Sequence, residues 1–307
     1  MTKPARSKPT PEPPRTADAQ RGPTVLSGAG PLLTGYDVAL CDVWGVVHDG
    51  VEAYRAATEA LERFRAGGGT VVLVSNAPVP SHEVARMLDG KRVPRAAWDA
   101  IVSSGDIALA HIVDAGFRSL HRIGPLDRDA AFFAELPAAD APLGHAEGIV
   151  CTGLNDDRTE TADSYRPLLD AALARDLPFV CANPDLVVDV GGTHYLCAGA
   201  IAEIYETMGG TVYWAGKPYP VAYETAIDAA GRIRAESVAR HRVIAIGDAV
   251  RTDLAGAARA GVDALFIASG IHRADVMRGD EIDEARIAAL LAGAAPPARA
   301  AMAYLAW

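Results

Sequence analysis

Four short groups of polar residues stand where apolar runs end, and each is built of atoms that can handle a phosphoryl group. Asp42 closes the run VALC and is followed by Gly45 and a further apolar pair. A carboxylate there can act as a nucleophile or a metal ligand, or it can simply form a turn. Asp248 and Asp253 stand in GDAVRTD, one helical turn apart. Together with Asp42 they suit Mg²⁺, a hard cation that takes oxygen ligands and keeps waters for phosphate; Asp253 could also cap a helix starting at Leu254. Lys217, in AGKP, would relieve repulsion between carboxylates and hold phosphate oxygens, unless it is a solvated surface lysine. Ser75 and Asn76 offer a hydroxyl, an amide and backbone N–H groups to an anion at a helix start, or cap that helix and nothing more.

The elements that must position these groups follow from hydrophobic periodicity. YDVALCDVWGVV from Tyr36 reads as a strand buried on both faces, and Tyr54 to Arg65 carries Ala, Leu and Phe at helical spacing before stopping at Gly67-Gly68-Gly69. TVVLVSNA is a second buried strand, completing a β–α–β unit of the kind that builds doubly wound parallel sheets. The grammar returns late in the chain: TVYWAGKP as strand, Val221 to Ile233 as helix, RVIAIGDA as strand, Leu254 to Ala260 as helix, DALFIAS as strand. Between these halves HRIGP, EGIVCTGL and LPFVCANPDLVVDVGG are strand-like runs among Ala-rich helical stretches. The expected organisation is therefore an α/β core at 25–117 and 212–307, split by an inserted α/β module at 118–211. All four polar groups fall at the carboxyl ends of predicted strands, where open α/β sheets bind their ligands.

Composition narrows the function classes. A formal charge of −10 over 307 residues argues against a nucleic-acid partner, which requires a basic face. Half the residues are hydrophobic and 22% are charged, so the bulk of the chain should fold. Cys41, Cys151, Cys181 and Cys197 form no C-x-x-C pair and read as buried thiols of a reducing compartment. No apolar run is long enough for a membrane span, and residues 1 to 24, rich in Pro, Lys and Arg, lack the apolar segment of a secretory signal. A cytoplasmic protein with a disordered N-terminal tail is expected.

Taken jointly, CDVWGVVHDG, VSNAP, GKPYP and IGDAVRTDLAGAARAG occur in the order of the four motifs of the haloacid dehalogenase superfamily, which residues 36 to 272 resemble. GKP, the T-D after Gly-Asp, and ANPD before AGAI are similar to its class IIA branch of sugar-phosphate and nitrophenylphosphate phosphatases. The resemblance implies a Rossmann-like core with an inserted cap and a Mg²⁺-dependent hydrolase. Asp42 would form an aspartyl-phosphate; Asp42, Asp248, Asp253 and the Trp44 carbonyl would serve the metal. Ser75 and Lys217 would bind the phosphoryl group of a phosphorylated small molecule, and a homodimer would accord with caps of this kind.

One position departs from the family's phosphatases. They carry an acid–base Asp two residues after the nucleophile, and here Trp44 stands there. Indole cannot exchange a proton at working pH, and loss of a general acid–base removes about 10²–10⁴-fold in rate. Three explanations stay open: a leaving group that departs unprotonated, such as an acyl phosphate; another residue, such as His48, in the missing role; or attack on carbon, as in dehalogenases. A catalytically weak protein that binds a phosphorylated ligand or signals through a stable aspartyl-phosphate is the remaining alternative. Asn183 and Asp185 in CANPD could face substrate or form a turn, Ser103 to Asp106 read as a helix N-cap, and the run Asp156 to Glu160 reads as a solvated face.

Overall fold

The structure is a computed structural model that describes residues 23–190, 193–292 and 298–307. The expected tail lies outside the described residues up to position 22, whereas Thr24 already opens a strand. In chain order the strands are β1 (Thr24–Val25), β2 (Val38–Asp42), β3 (Thr70–Ser75), β4 (Ala100–Ser103), β5 (Ser119–Ile123), β6 (Ala139–Asp140), β7 (Gly148–Cys151) and β8 (Phe179–Cys181). They continue as β9 (Val187–Val190), β10 (Thr193–Leu196), β11 (Val212–Trp214), β12 (Val243–Gly247), β13 (Asp263–Ile267), β14 (Met277–Arg278), β15 (Glu281–Ile282) and β16 (Ala300–Met302).

Seven of them form a sheet in the order β1-β16-β13-β12-β2-β3-β4. The ladders that join β1, β16, β13, β12 and β2 are all parallel, in keeping with the buried, largely apolar β2, β12, β13 and β16; β1 at the edge is exposed. The chain leaves β2 toward β3 and later returns to β12 on the other side, so the order reverses between β2 and β12. Their register sets Cys41 opposite Ile246, and Asp42 and Asp248 therefore emerge at the same edge of that switch point. Every residue of β2 and β12 is buried.

The helix Arg55–Ala66 presents Ala57, Ala60, Leu61 and Phe64 as its buried face and stops where Gly67 begins a glycine run. Compactness divides the chain into two units, one running through Leu73 with Val93–Ala100 and Glu224–Trp307, the other made of Val74–Arg92 and Ile101–Tyr223.

The second unit has its own parallel five-stranded sheet, ordered β11-β8-β7-β5-β6. Its core packs Ile149, Leu169, Phe179, Ile201 and Tyr205 among others, and burial of a side chain such as Phe179 contributes roughly 1.5–3 kcal/mol. Trp214 of β11 belongs to this core, so the sheet extends past residue 211. Among the described residues, no helix is long and apolar enough to cross a membrane.

Candidate active site

Asp42, Asp248 and Asp253 each offer a carboxylate oxygen, and these oxygens all lie within 4.8 Å of one another. All three residues are buried, at 8%, 5% and 3% exposure. Like charges in a low-dielectric place repel unless a cation or hydrogen bonds offset them, and a buried trio of carboxylates with converging oxygens could hold a metal ion.

The surrounding backbone is shaped to leave room for it. A Cβ at Gly45 would lie 2.2 Å from Asp248 Oδ2, one at Gly270 would lie 1.8 Å from the same atom, and one at Gly247 would lie 2.1 Å from Asp253 Cγ. Gly45 also has a φ of +82°, a region that L side chains seldom adopt. Asp248 is held by the Ile271 N–H, which donates to its Oδ2 at 2.6 Å, and Asp253 by the Ala249 N–H, which donates to its Oδ2 at 3.0 Å. The all-oxygen donor set, the burial and the glycine cradle fit a hard divalent cation.

Asp253 does not stand at the start of a regular helix as its spacing suggested. It lies in a π-helical turn, Val250–Leu254, that runs into the helix Ala255–Ala260. Such π-helical turns are rare and are found frequently at functional sites.

The loop after Asp42 folds back tightly: Gly45 N–H donates to the His48 carbonyl at 2.7 Å, and Tyr54 N–H to the Val47 carbonyl at 2.8 Å. Trp44 is partly exposed and meets the edge of His48 at a ring separation of 5.0 Å. Gly50 leaves space for the indole, since a Cβ there would sit 2.5 Å from Trp44 Cζ2. His48 is fully buried, and its Nδ1 accepts the Gly50 N–H at 2.9 Å. That bond assigns the proton of the neutral ring to Nε2.

Tyr54 and Gly270 had no motif to announce them. Burial, then the negative charge of Asp49, pushes the Tyr54 hydroxyl up to about 12, with Asp248 adding to the effect. Gly270 could have been suspected only as a glycine just beyond the strand-like DALFIAS.

In the second unit, Ser75 Oγ accepts the Ala77 N–H at 3.2 Å, which leaves the hydroxyl proton to be donated elsewhere. The helix after β3 begins at Ser81, behind a loop, so Ser75 and Asn76 do not cap it. Asn76 instead bonds to the Lys217 backbone and to Asp185, and Lys217 is buried at 3% exposure. Asn183 Oδ1 accepts the Asp185 N–H at 3.1 Å, an Asx-turn that presents Asp185. Ser103 caps the helix Ser104–Ala115 by accepting the Asp106 N–H at 3.0 Å, as expected. Asp156, Arg158 and Thr159 are exposed, with Asp156 accepting the Thr159 hydroxyl and the Arg158 N–H; those bonds, the Thr159 one first, lower the pKa of the Asp156 carboxyl. Asp157, by contrast, pairs with Arg128 at 2.8 Å.

Comparison with known proteins bears on this arrangement. Residues 39–124 match the family model described as haloacid dehalogenase-like hydrolase, and residues 214–294 match one described as HAD-hydrolase-like. A solved hydrolase of the haloacid dehalogenase-like family from Brucella suis 1330 is 39% identical, with 91% of this chain and 99% of that one covered at a TM-score of 0.80. A possible sugar phosphatase from Cytophaga hutchinsonii is 18% identical, covering 92% and 98% at a TM-score of 0.70. A p-nitrophenyl phosphatase from Archaeoglobus fulgidus is 19% identical, covering 77% and 87% at 0.60; at these identities the likeness is one of fold. No curated protein matches by sequence.

Proposed function

We propose that this chain, which belongs to the haloacid dehalogenase-like hydrolase family, is a Mg²⁺-dependent phosphatase of small phosphorylated molecules that works through a phosphoaspartate on Asp42. The observation that carries this reading is the buried cluster of Asp42, Asp248 and Asp253. The phosphatase descriptions of the structures from Cytophaga and Archaeoglobus support the substrate class.

In this reading an Asp42 carboxylate oxygen attacks phosphorus while the bond to the leaving oxygen breaks. Water then attacks the phosphorus of the phosphoaspartate, releasing inorganic phosphate and restoring the carboxylate. Asp42, Asp248, Asp253 and the Trp44 carbonyl would hold Mg²⁺, whose charge would offset the repulsion between phosphate and carboxylate. Ser75 would donate its hydroxyl proton to a phosphoryl oxygen, and the Lys217 ammonium would balance charge that grows during transfer. Residues 118–211 would act as the cap that selects substrate, with Asn183 and Asp185 among its contacts.

Trp44 sets the limits of this chemistry. Its indole can neither protonate a leaving group nor activate water. His48, whose Nδ1 is engaged by Gly50, is poorly disposed to take over both tasks. Leaving groups that depart as stable anions, acyl phosphates above all, are therefore favoured.

The same indole supports a second reading, in which the phosphoaspartate persists and the protein acts as a slow, signalling member of its family. Attack on carbon, as in a dehalogenase, would leave the three-carboxylate cluster without a role. Phosphate release from sugar phosphates, nucleotides, acyl phosphates and nitrophenyl phosphate, with Mg²⁺ or chelator, tests the proposal. Metal-dependent release favouring acidic leaving groups is expected; halide release without metal would replace it with the dehalogenase.

A further inference from the structure

One buried amide in the second unit joins three loops. Asn76 Oδ1 accepts the Lys217 N–H at 2.8 Å, and Asn76 Nδ2 donates to the Lys217 carbonyl at 3.0 Å and to Asp185 Oδ1 at 2.9 Å. Both amide protons are thereby committed, and the oxygen has taken the one backbone donor it faces. The amide cannot be reversed. A flipped group would set NH₂ against the Lys217 N–H and an oxygen against the Asp185 carboxylate.

Packing around this knot is equally specific. A Cβ at Gly216, the residue before Lys217, would fall 2.5 Å from Asn76 Oδ1, 2.7 Å from Ser104 Oγ and 2.9 Å from Pro184 Cδ. The loops after β3, β8 and β11 thus converge on the backbone that carries Lys217. Asn76 itself is 5% exposed, so a polar group left unpaired there carries its desolvation cost.

We propose that Asn76 is a positioning residue for Lys217, fixing its main chain at both the N–H and the carbonyl, and that Asp185 holds Asn76 in that orientation through the second amide proton. The proposal rests on the reading that Lys217 serves the phosphoryl group. Asn76 would then affect turnover through Lys217, not by touching substrate with its side chain. A misplacement on the order of 1 Å in a group that must meet a developing charge can cost about 10²-fold in rate.

The test is steady-state hydrolysis of nitrophenyl phosphate with Mg²⁺ by the full chain and its variants, together with thermal melting and the affinity for inorganic phosphate. Asn76→Ala is expected to lower kcat by about 10²-fold with KM changed much less, and to add no further loss in a Lys217→Ala background. Asn76→Asp keeps the shape and the acceptor for the Lys217 N–H but loses both donors, so it should fall nearly as far. Asp185→Asn, which retains an acceptor for Nδ2, should keep more activity than Asp185→Ala.

Wild-type kcat in Asn76→Asp, or losses from Asn76→Ala and Lys217→Ala that multiply in the double variant, would overturn the positioning role while leaving Lys217 its function. Full activity and unchanged phosphate affinity in Lys217→Ala would overturn the assignment of Lys217 itself, and the positioning role with it. If Asn76→Ala does not fold, the near-isosteric Asn76→Asp carries the same comparison.

Discussion

At the scale of single residues, the proposed phosphoryl transfer turns on Trp44 and His48, which would decide which half of it is assisted. Asp42 has what a nucleophile needs, a buried carboxylate beside two others. Nothing at Trp44 can move a proton, and His48 Nδ1 already accepts the Gly50 N–H. Trp44→Asp is accordingly expected to raise hydrolysis of poor leaving groups such as sugar phosphates by up to about 10²–10⁴-fold, and that of acyl phosphates far less. Rates across a leaving-group series check this; equal gains on every substrate would show that the indole was only an obstruction.

The positions of Asp42, Asp248 and Lys217 at or just beyond strand ends were legible in the sequence because each follows an apolar run. The positions of Asn76 and Asp185 within a shared hydrogen-bond knot were not, because Asn76, Asp185 and Lys217 are brought together only by the tertiary fold.

At the scale of elements, the site depends on loops that approach closely enough to exclude any side chain. Gly45 and Gly270 flank the Asp248 carboxylate, and a methyl group at either position would overlap Oδ2. Gly270→Ala is expected to weaken Mg²⁺ binding by displacing Asp248; metal affinity by calorimetry reads this, and wild-type affinity with an intact melting profile would contradict the cradle.

The strands carrying the motifs were readable from buried apolar runs, whereas the two-residue β1 and the Ala-rich β16 were not, since short or Ala-rich segments carry no period of their own. The π-helical turn at Asp253 was also hidden. A sequence gives the spacing of Asp248 and Asp253 but not how widely the chain winds between them.

For the whole molecule, the doubly wound order puts Asp42 and Asp248 at one switch point, and two phenols, the buried Tyr36 and the half-buried Tyr54, set a limit at high pH. Tyr36 is fully buried and donates to Asp263 at 2.6 Å; burial first, then that bond, pushes its hydroxyl well above the usual value. Tyr54 is pushed up to about 12, chiefly by burial. In the unfolded chain both ionise near pH ~10.

Because the folded values are raised, the stability tied to the neutral phenols is complete below about pH 10 and declines as pH rises through about 12. Denaturant midpoints across that range should fall, and less steeply in Tyr36→Phe. A flat profile would mean that the phenols ionise without cost to the fold.

The assignment of Asp42 as nucleophile is tested most directly by acid-quenching the enzyme during turnover of an acyl or aryl phosphate with Mg²⁺, then mapping the modified peptide by mass spectrometry. A phosphoryl adduct on Asp42, present in wild type at amounts approaching one per chain and missing from Asp42→Asn and from chelated samples, is the expected result. Metal-dependent phosphate release that persists in Asp42→Asn, with no adduct on Asp42 in wild type, would contradict it.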